Sequence, residues 1–168
     1  MNLIKDYRIL LGQGVVARFD TETYSDAVAF ARIGEGSLGG KARGLAFMNS
    51  MLLKHRQYDK HDNLRIMIPR SVVIATDYFD EFIRNNGLKY IISQEFSDEE
   101  ILSEFVSSTI PVKLQRELKA YIKTVSTPLA VRSSSKLEDS HYQPFAGIYS
   151  TYMLSLIHIS EPTRHAQI

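Results

Sequence analysis

The sequence predicts a mixed fold of α-helices and β-strands, of the α+β class, with most of its helices in the middle of the chain. Short runs of β-branched and aliphatic residues alternate with longer stretches whose apolar residues recur at helical spacing. The apolar fraction of 44% and the charged fraction of 23% are typical of a globular protein. At 168 residues, the chain is long enough to bury one core of ordinary size.

The first third of the chain contains a weakly patterned segment and a glycine-rich loop. The apolar runs at residues 9–11 and 15–19 predict two short strands, and residues 24–31 predict a short helix. Residues 33–40, with the sequence IGEGSLGG, are the glycine-rich loop. It leads directly into a helix predicted over residues 41–55, whose apolar stripe consists of Leu45, Met48 and Leu52, widened by Phe47 and Met51.

The next elements are predicted by β-branched residues and by helix-start and helix-stop signals. A strand is predicted at residues 72–74. Thr76 is predicted to cap a helix over residues 77–86, and Gly87 is expected to stop it. Its apolar residues are expected in the core; they are Phe79, Phe82 and Ile83.

The last third of the chain combines two helices with two strands. Ser97 and Glu100 have the spacing of a capping box, so a helix is predicted to continue to about residue 107. Pro111 suits the first turn of a further helix that ends near residue 123. Residues 129–132 predict a short buried strand, and residues 148–153 predict another strand.

The charge balance and the absence of cysteine exclude several functional classes. The 20 basic and 19 acidic side chains give a formal charge of +1, so no overall field favours nucleic acid or an anionic membrane as a partner. No apolar run approaches the roughly 20 residues of a spanning helix. Without cysteine there are no disulfides or thiolate metal sites. We therefore expect a cytoplasmic protein.

The glycine-rich loop and Lys41 are the first candidate site. Glycines before a helix leave backbone N–H groups that can point at an anion, and the helix N-terminus adds partial positive charge. Lys41 opens the helix and could reach an anion bound there. The spacing differs from that of a Walker loop, since Ala42 stands where serine or threonine would bind magnesium. A flexible turn with a solvated lysine is the alternative.

Arg132 is the second candidate site. It ends a predicted strand and is followed by three serines, residues 133–135. A guanidinium at such a position can hold phosphate oxygens through two parallel hydrogen bonds. The alternative is a structural ion pair between Arg132 and Glu138 or Asp139. From the residues alone, both interpretations stay open.

Taken in order along the chain, these segments resemble a known family. The matching segments are Gly39-Gly40-Lys41, residues 68–74, residues 131–134, Glu138-Asp139 and Phe145-Ala146-Gly147. Their order resembles the N-terminal nucleotide-binding domain shared by phosphoenolpyruvate synthase, pyruvate phosphate dikinase and rifampicin phosphotransferase. The resemblance covers about residues 34–153.

The resemblance implies an ATP-binding domain that is incomplete in this chain. The fold would be the N-terminal subdomain of an ATP-grasp-like, pyruvate phosphate dikinase-type domain. Lys41 and Arg132 would contact the ATP phosphates, Gly147 would supply backbone to the nucleotide, and Thr151 would lie against it. No catalytic residue and no metal ligand is expected among these residues, because the carboxylates that bind Mg²⁺ would lie outside this fragment.

The family's reaction would need partners that this chain lacks. Phosphate would pass from ATP to a phosphohistidine domain of the same parent chain, and then to a small-molecule acceptor such as pyruvate. The fragment alone is therefore expected to be an inactive part of an ATP-dependent phosphotransferase. The alternative is a nucleotide-sensing or scaffold module that has the same fold and no catalytic role.

Three segments follow from these expectations. Residues 1–33 are a lead-in segment, residues 34–153 are the partial ATP-binding domain, and residues 154–168 are a non-native tail. The tail resembles the conceptual translation of a sequencing-library adapter. The parent protein is therefore expected to be longer.

Overall fold

The computed structural model describes residues 16–22, 24, 28–55, 63–64, 66–135 and 149–155. A 3-10 helix at Leu88–Ile92 follows the α-helix Thr76–Asn85. In chain order, the strands and α-helices are β1 (Ala17–Arg18), β2 (Phe30–Ile33), α1 (Gly39–Lys54), β3 (Ser71–Ile74), α2 (Thr76–Asn85), α3 (Asp98–Ser107), α4 (Val112–Thr124), β4 (Leu129–Arg132) and β5 (Thr151–Leu154). The predicted mixture of helices and strands is confirmed.

The described strands form two sheets, one parallel and one antiparallel. β1, β2 and β3 form a parallel sheet in that order, with β2 in the centre. The chain passes from β2 to β3 through α1, the helical crossover that parallel neighbours require. β4 and β5 form a separate antiparallel pair in which Arg132 lies opposite Thr151.

Alternating residues of β2 divide the core between the two faces of the parallel sheet, because successive strand residues point to opposite sides. Ala31 and Ile33 pack on one face with Tyr78 from α2 and Leu114 from α4. Phe30 points to the other face, where it packs with Ala42 of α1. The parallel sheet is thus covered on both sides.

The inner face of α1 differs from the predicted stripe. Leu45 and Leu52 do pack against the sheet, together with Ala42 and Ala46. The other three predicted members, Phe47, Met48 and Met51, are exposed. Small alanines at the contact let the helix approach the strands closely, so the packed face lies on the alanine side of the apolar stripe.

The predicted start and inner face of α2 also need correction. The helix ends where Gly87 adopts a left-handed φ of +67°, as expected. Its N-cap residue is Ala75, and no side chain caps it, so Thr76 does not have the predicted role. The deeply buried aromatic residue is Tyr78, while Phe79 is 58% exposed.

The two helices that follow match the sequence signals closely. Ser97 and Glu100 form both hydrogen bonds of the capping box at the start of α3. α4 begins one residue after Pro111 and ends at Thr124. The Tyr78 hydroxyl donates to a Glu117 carboxylate oxygen (2.9 Å), which ties α2 to α4.

Two strand-region predictions fail within the described residues. A helix is predicted over residues 24–31, but Phe30 and Ala31 belong to β2. Pairing with β1 and β3 overrides the weak helical pattern. β4 has the predicted bounds, yet three of its four residues are exposed. Among the described strands it pairs with β5 alone, so burial is limited. The strand predicted at residues 9–11 lies outside the described residues.

Candidate functional site

The glycine-rich loop lies at the carboxyl edge of the parallel sheet. It leaves β2 after Ile33 and enters α1 at Gly39. β3 ends at the same edge, and α2 begins two residues later. In open α/β sheets, ligands bind outside the carboxyl ends of the strands. A ligand site is therefore expected at the sheet edge where this loop lies.

The backbone N–H groups of the loop are already hydrogen-bonded to the start of α2. The N–H of Glu35 donates to Asp77 Oδ2 (2.8 Å), and the N–H of Gly36 donates to Asp77 Oδ1 (3.1 Å). The N–H of Ser37 donates to Thr76 Oγ1 (3.0 Å). The expectation that this backbone points at an external anion is thus wrong for these three groups, since side chains of α2 accept their hydrogen bonds.

Ser134 occupies the N-terminus of α1 in a similar way. Its carbonyl oxygen accepts from the N–H of Gly40 (3.1 Å), and its Oγ accepts from the N–H of Ala42 (2.9 Å). The same hydroxyl donates to the carbonyl oxygen of Leu38 (2.7 Å). Ser134 therefore acts as a cap supplied from elsewhere in the chain, because helix termini leave such N–H groups without intrahelical partners.

Gly39 allows this close approach. Its φ of +76° is in the left-handed region, and a Cβ built on it would overlap the carbonyl oxygen of Ser134. A residue with a side chain at this position would separate α1 from Ser134. The glycine thus serves the contact between two chain segments.

The Ser134 contact brings the two candidate sites together. Lys41 lies between Gly40 and Ala42, both of which bond to Ser134, and Arg132 is two residues before that serine. Lys41 is half-buried and Arg132 is exposed. Segments that are more than 90 residues apart in sequence therefore meet where a lysine opens a helix and an arginine ends a strand.

Thr151 lies beside Arg132. The two residues are directly opposite each other in the β4–β5 pair, so their side chains are on the same face of the ladder. Gly147, the remaining predicted site residue, lies outside the described residues, as do Glu138 and Asp139. Among the described residues, Arg132 has no ion-pair partner. Phosphate binding by Arg132 and an ion pair with Glu138 or Asp139 both stay predictions.

Glu35 holds the outer side of the glycine-rich loop. Its carboxylate pairs with Arg32 (2.8 Å), the next-to-last residue of β2, and with Arg18 (3.2 Å), the last residue of β1. The Arg32 and Glu35 side chains are partly exposed, and Arg18 is well exposed. Such solvated pairs contribute little to stability, about 0–1 kcal/mol each. They nevertheless join the glycine-rich loop to β1 and β2.

Asp77 has the most informative electrostatic environment near the loop. Burial by itself would raise the pKa of its carboxyl group. The backbone N–H groups of Glu35 and Gly36, together with those of Asp77 and Tyr78, outweigh burial and hold the pKa below its usual value. The carboxylate is therefore ionised at neutral pH, which is the form that accepts these hydrogen bonds.

Sequence reasoning missed the roles of Asp77 and Ser134. The sequence presents Ser134 only as one of three serines after Arg132, and it predicts Thr76 as the cap of its own helix. A usable signal exists for α2, because a threonine and an aspartate directly after a strand lie at the same sheet edge as a loop that follows a neighbouring parallel strand. No comparable local signal points from Ser134 to Gly40, since their contact depends on the fold.

Other features of the described residues do not supply a second site. An open groove of about 470 Å³ lies beside α4, lined among others by Thr21, Arg116 and Lys119, and none of the predicted site residues borders it. The described part of the chain contains no group of three or more histidine, aspartate or glutamate side chains that could hold a metal ion. Within the same part, none of the helices is long and apolar enough to cross a membrane.

Comparison with known proteins gives one family match. The sequence model of the family described as "Pyruvate phosphate dikinase, AMP/ATP-binding domain" matches residues 35–165, which is most of the chain. Searches of curated proteins and of solved structures found no match. The matched range includes residues 35–40 of the glycine-rich loop, Lys41, Arg132 and Thr151, and it extends beyond β5.

Proposed function

Since this chain belongs to the family of the pyruvate phosphate dikinase AMP/ATP-binding domain, we propose that it binds ATP where the start of α1 meets the end of β4. The single observation that carries this location is the set of hydrogen bonds between Ser134 and the N-terminus of α1, including its N-cap residue Leu38. Lys41 and Arg132 are the cations that flank this contact.

In this proposal, side chains rather than loop backbone hold the phosphates. The loop N–H groups of residues 35–37 bond to α2, and those of Gly40 and Ala42 bond to Ser134. The triphosphate charge is then partly offset by the Lys41 ammonium and the Arg132 guanidinium, and the guanidinium can engage two phosphate oxygens at once. Thr151 adds a hydroxyl beside Arg132, and Gly147 supplies backbone to the nucleotide.

The test is the affinity of the chain for ATP, measured by isothermal titration in the presence of Mg²⁺. Lys41→Ala and Arg132→Ala should each weaken binding by about tenfold to a hundredfold, since hydrogen bonds to charged groups contribute about 1.5–3 kcal/mol. The matched control is Lys54→Ala, because Lys54 is an exposed lysine about 20 Å further along the same helix. It should bind ATP as the wild type does.

Folding must be measured on the same variants. If Lys41→Ala or Arg132→Ala unfolds the chain while the folded fraction keeps wild-type affinity, that residue has a structural role. Equal affinity for all three variants and the wild type would remove the phosphate site from this position. A wild-type chain that binds no ATP would contradict the proposal as a whole.

We further propose that the parent protein is an ATP-dependent phosphotransferase and that this chain alone transfers no phosphate. Phosphoryl transfer depends on positioning and on metal charge. In the family, the acceptor histidine and the Mg²⁺ ligands would come from other parts of the parent chain. Incubating the 168-residue chain with γ-labelled ATP, Mg²⁺ and a separately produced phosphohistidine domain should leave the histidine unlabelled. Rapid labelling would show that the chain is catalytically complete.

A further inference from the structure

The first turn of α2 and the glycine-rich loop form a continuous contact. Beside the three hydrogen bonds to Asp77 and Thr76, the N–H of Thr76 donates to the carbonyl oxygen of Ser37 (3.0 Å). Ser37 and Thr76 therefore exchange two hydrogen bonds in opposite directions. The loop is thus attached to α2 along three consecutive residues, 35–37, and we call this the loop–α2 contact.

Two glycines adapt the loop to this contact. A Cβ at Gly36 would lie 2.6 Å from the backbone nitrogen of Asp77, an atom that cannot move without shifting the helix. At Gly34, where φ is +95°, a Cβ would lie 2.5 Å from Asp77 Oδ1. The close approach of loop and helix therefore requires glycine at both positions. This need is independent of any ligand.

The loop–α2 contact is close in sequence to the proposed phosphate site. Only Leu38 separates the attached residues 35–37 from the first residue of α1, and Lys41 is in the first turn of that helix. The other side of the same turn is attached to Ser134. The position of Lys41 is thus determined by two attachments, one to α2 and one to the segment after β4.

We propose that Asp77, assisted by Thr76, is a positioning residue of the ATP site: its carboxylate fixes the glycine-rich loop and so keeps Lys41 in place for the phosphates. The inference rests on the proposed function, because it assumes that Lys41 contacts ATP. A loop that is ordered before binding does not have to lose its conformational freedom when the nucleotide arrives, which favours affinity. Asp77 acts through the loop and does not contact the nucleotide.

If Asp77 had a purely structural role, its substitution would be expected to have different effects. The residue is in the first turn of α2, where a carboxylate is favoured by the helix dipole, and it accepts hydrogen bonds from N–H groups of that turn. If this were its only role, its loss would weaken α2 and leave the loop and the nucleotide affinity unchanged. Amide exchange in the loop and in α2 therefore separates the two roles.

The experiment compares Asp77→Asn with Asp80→Asn in the whole 168-residue chain. Both substitutions remove one negative charge from α2, but Asp80 is exposed and has no contact with the loop among the described residues. In Asp77→Asn, the side-chain amide offers one acceptor instead of two, so one loop N–H loses its partner. We expect amide exchange at residues 35 and 36 to accelerate at least tenfold and ATP binding to weaken about tenfold. Asp80→Asn should match the wild type in both measurements.

Thr76 provides a second and milder pair of variants. Thr76→Val removes the hydroxyl that accepts from Ser37 at nearly constant volume, while Thr76→Ser keeps it. Thr76→Val should accelerate amide exchange at residue 37 and weaken ATP binding severalfold. Thr76→Ser should keep the exchange rate and the ATP affinity near their wild-type values. This pair decides the question if Asp77→Asn fails to fold.

The outcomes distinguish this inference from the proposed function. If the wild type binds ATP and the Asp77 and Thr76 variants bind it equally well, Asp77 is not a positioning residue, and the proposed function stands. Unchanged exchange at residues 35–37 in the variants would overturn the inference in the same way. A wild-type chain that binds no ATP would contradict the proposed function and the inference together.

Discussion

Gly39 and Gly44 lie in the same helix, but the structure requires glycine only at the first of these positions. Gly39 combines a left-handed φ of +76° with a contact in which Ser134 occupies the space of a side chain. Gly44 lies in the interior of α1, is exposed, and would have nothing within 4 Å of an added Cβ. Only the first glycine is needed by the fold.

Substitution of these glycines by alanine should therefore have opposite effects on stability. Gly39→Ala should lower the free energy of unfolding by at least about 1–2 kcal/mol, the cost of a left-handed conformation alone, with the overlap at Ser134 adding to it. Gly44→Ala should raise it by about 0.5–1 kcal/mol, because alanine is the better helix former. Urea unfolding followed by circular dichroism measures both. Equal effects would mean that Gly39 neither adopts the left-handed conformation nor packs against Ser134.

Thr76 illustrates which residue roles the sequence can predict. Threonine before an apolar helical stretch is a standard N-cap signal, and it led to the wrong assignment here. Its hydroxyl accepts instead from Ser37, a residue 39 positions earlier in the chain. That choice depends on β2 and β3 being neighbours in a parallel sheet, because only then do the loop and α2 meet. A local pattern cannot contain this information.

At the scale of elements, local signals predicted helix bounds well where they were specific. The capping box at Ser97 and Glu100 lies at the start of α3 as predicted, since both of its hydrogen bonds form within four residues. The left-handed Gly87 ends α2 in the same local way. β2 was missed because its residues are specified by pairing on both sides rather than by a period-2 pattern of their own.

The capping box of α3 gives a prediction at this scale. Ser97→Ala removes the acceptor of the Glu100 N–H and should lower the free energy of unfolding by about 1 kcal/mol. Ser103→Ala is the matched control, because Ser103 is an exposed serine within the same helix, where alanine is at least as favourable. Thermal unfolding of both variants tests this. A control that loses as much stability as Ser97→Ala would mean that the cap contributes nothing.

At the scale of the whole molecule, the candidate site could be anticipated only in part. Local chemistry indicates Lys41 and Arg132 individually, but no pattern of period or spacing relates a helix start to a strand end more than 90 residues away. The resemblance to a family related them, and the Ser134 hydrogen bonds give that relation a physical basis. Asp77 bonds to the glycine-rich loop and Ser134 bonds to the start of α1 through packing between distant segments, and for Ser134 no local pattern indicates this contact.

The C-terminal segment provides the last prediction, because two observations about it point in different directions. Residues 154–168 were predicted to be a non-native tail, whereas the family match extends to residue 165. β5 ends at Leu154, which lies opposite Leu129 in β4. A segment that was not selected to pack against this core should contribute little to stability. A chain that lacks residues 156–168 should therefore unfold at the same temperature as the complete chain, within about 1 °C.

The control for this deletion is a chain that lacks residues 151–168. It loses β5, and with it the hydrogen-bonded partner of β4 and the threonine opposite Arg132. Each kcal/mol lost from a chain of this size lowers the unfolding temperature by about 2–4 °C, so the larger deletion should be clearly destabilised. If the shorter deletion is destabilised as much, residues 156–168 belong to the folded domain, and the family match to residue 165 reflects native sequence. If only the larger deletion is destabilised, the folded part of this chain ends with β5.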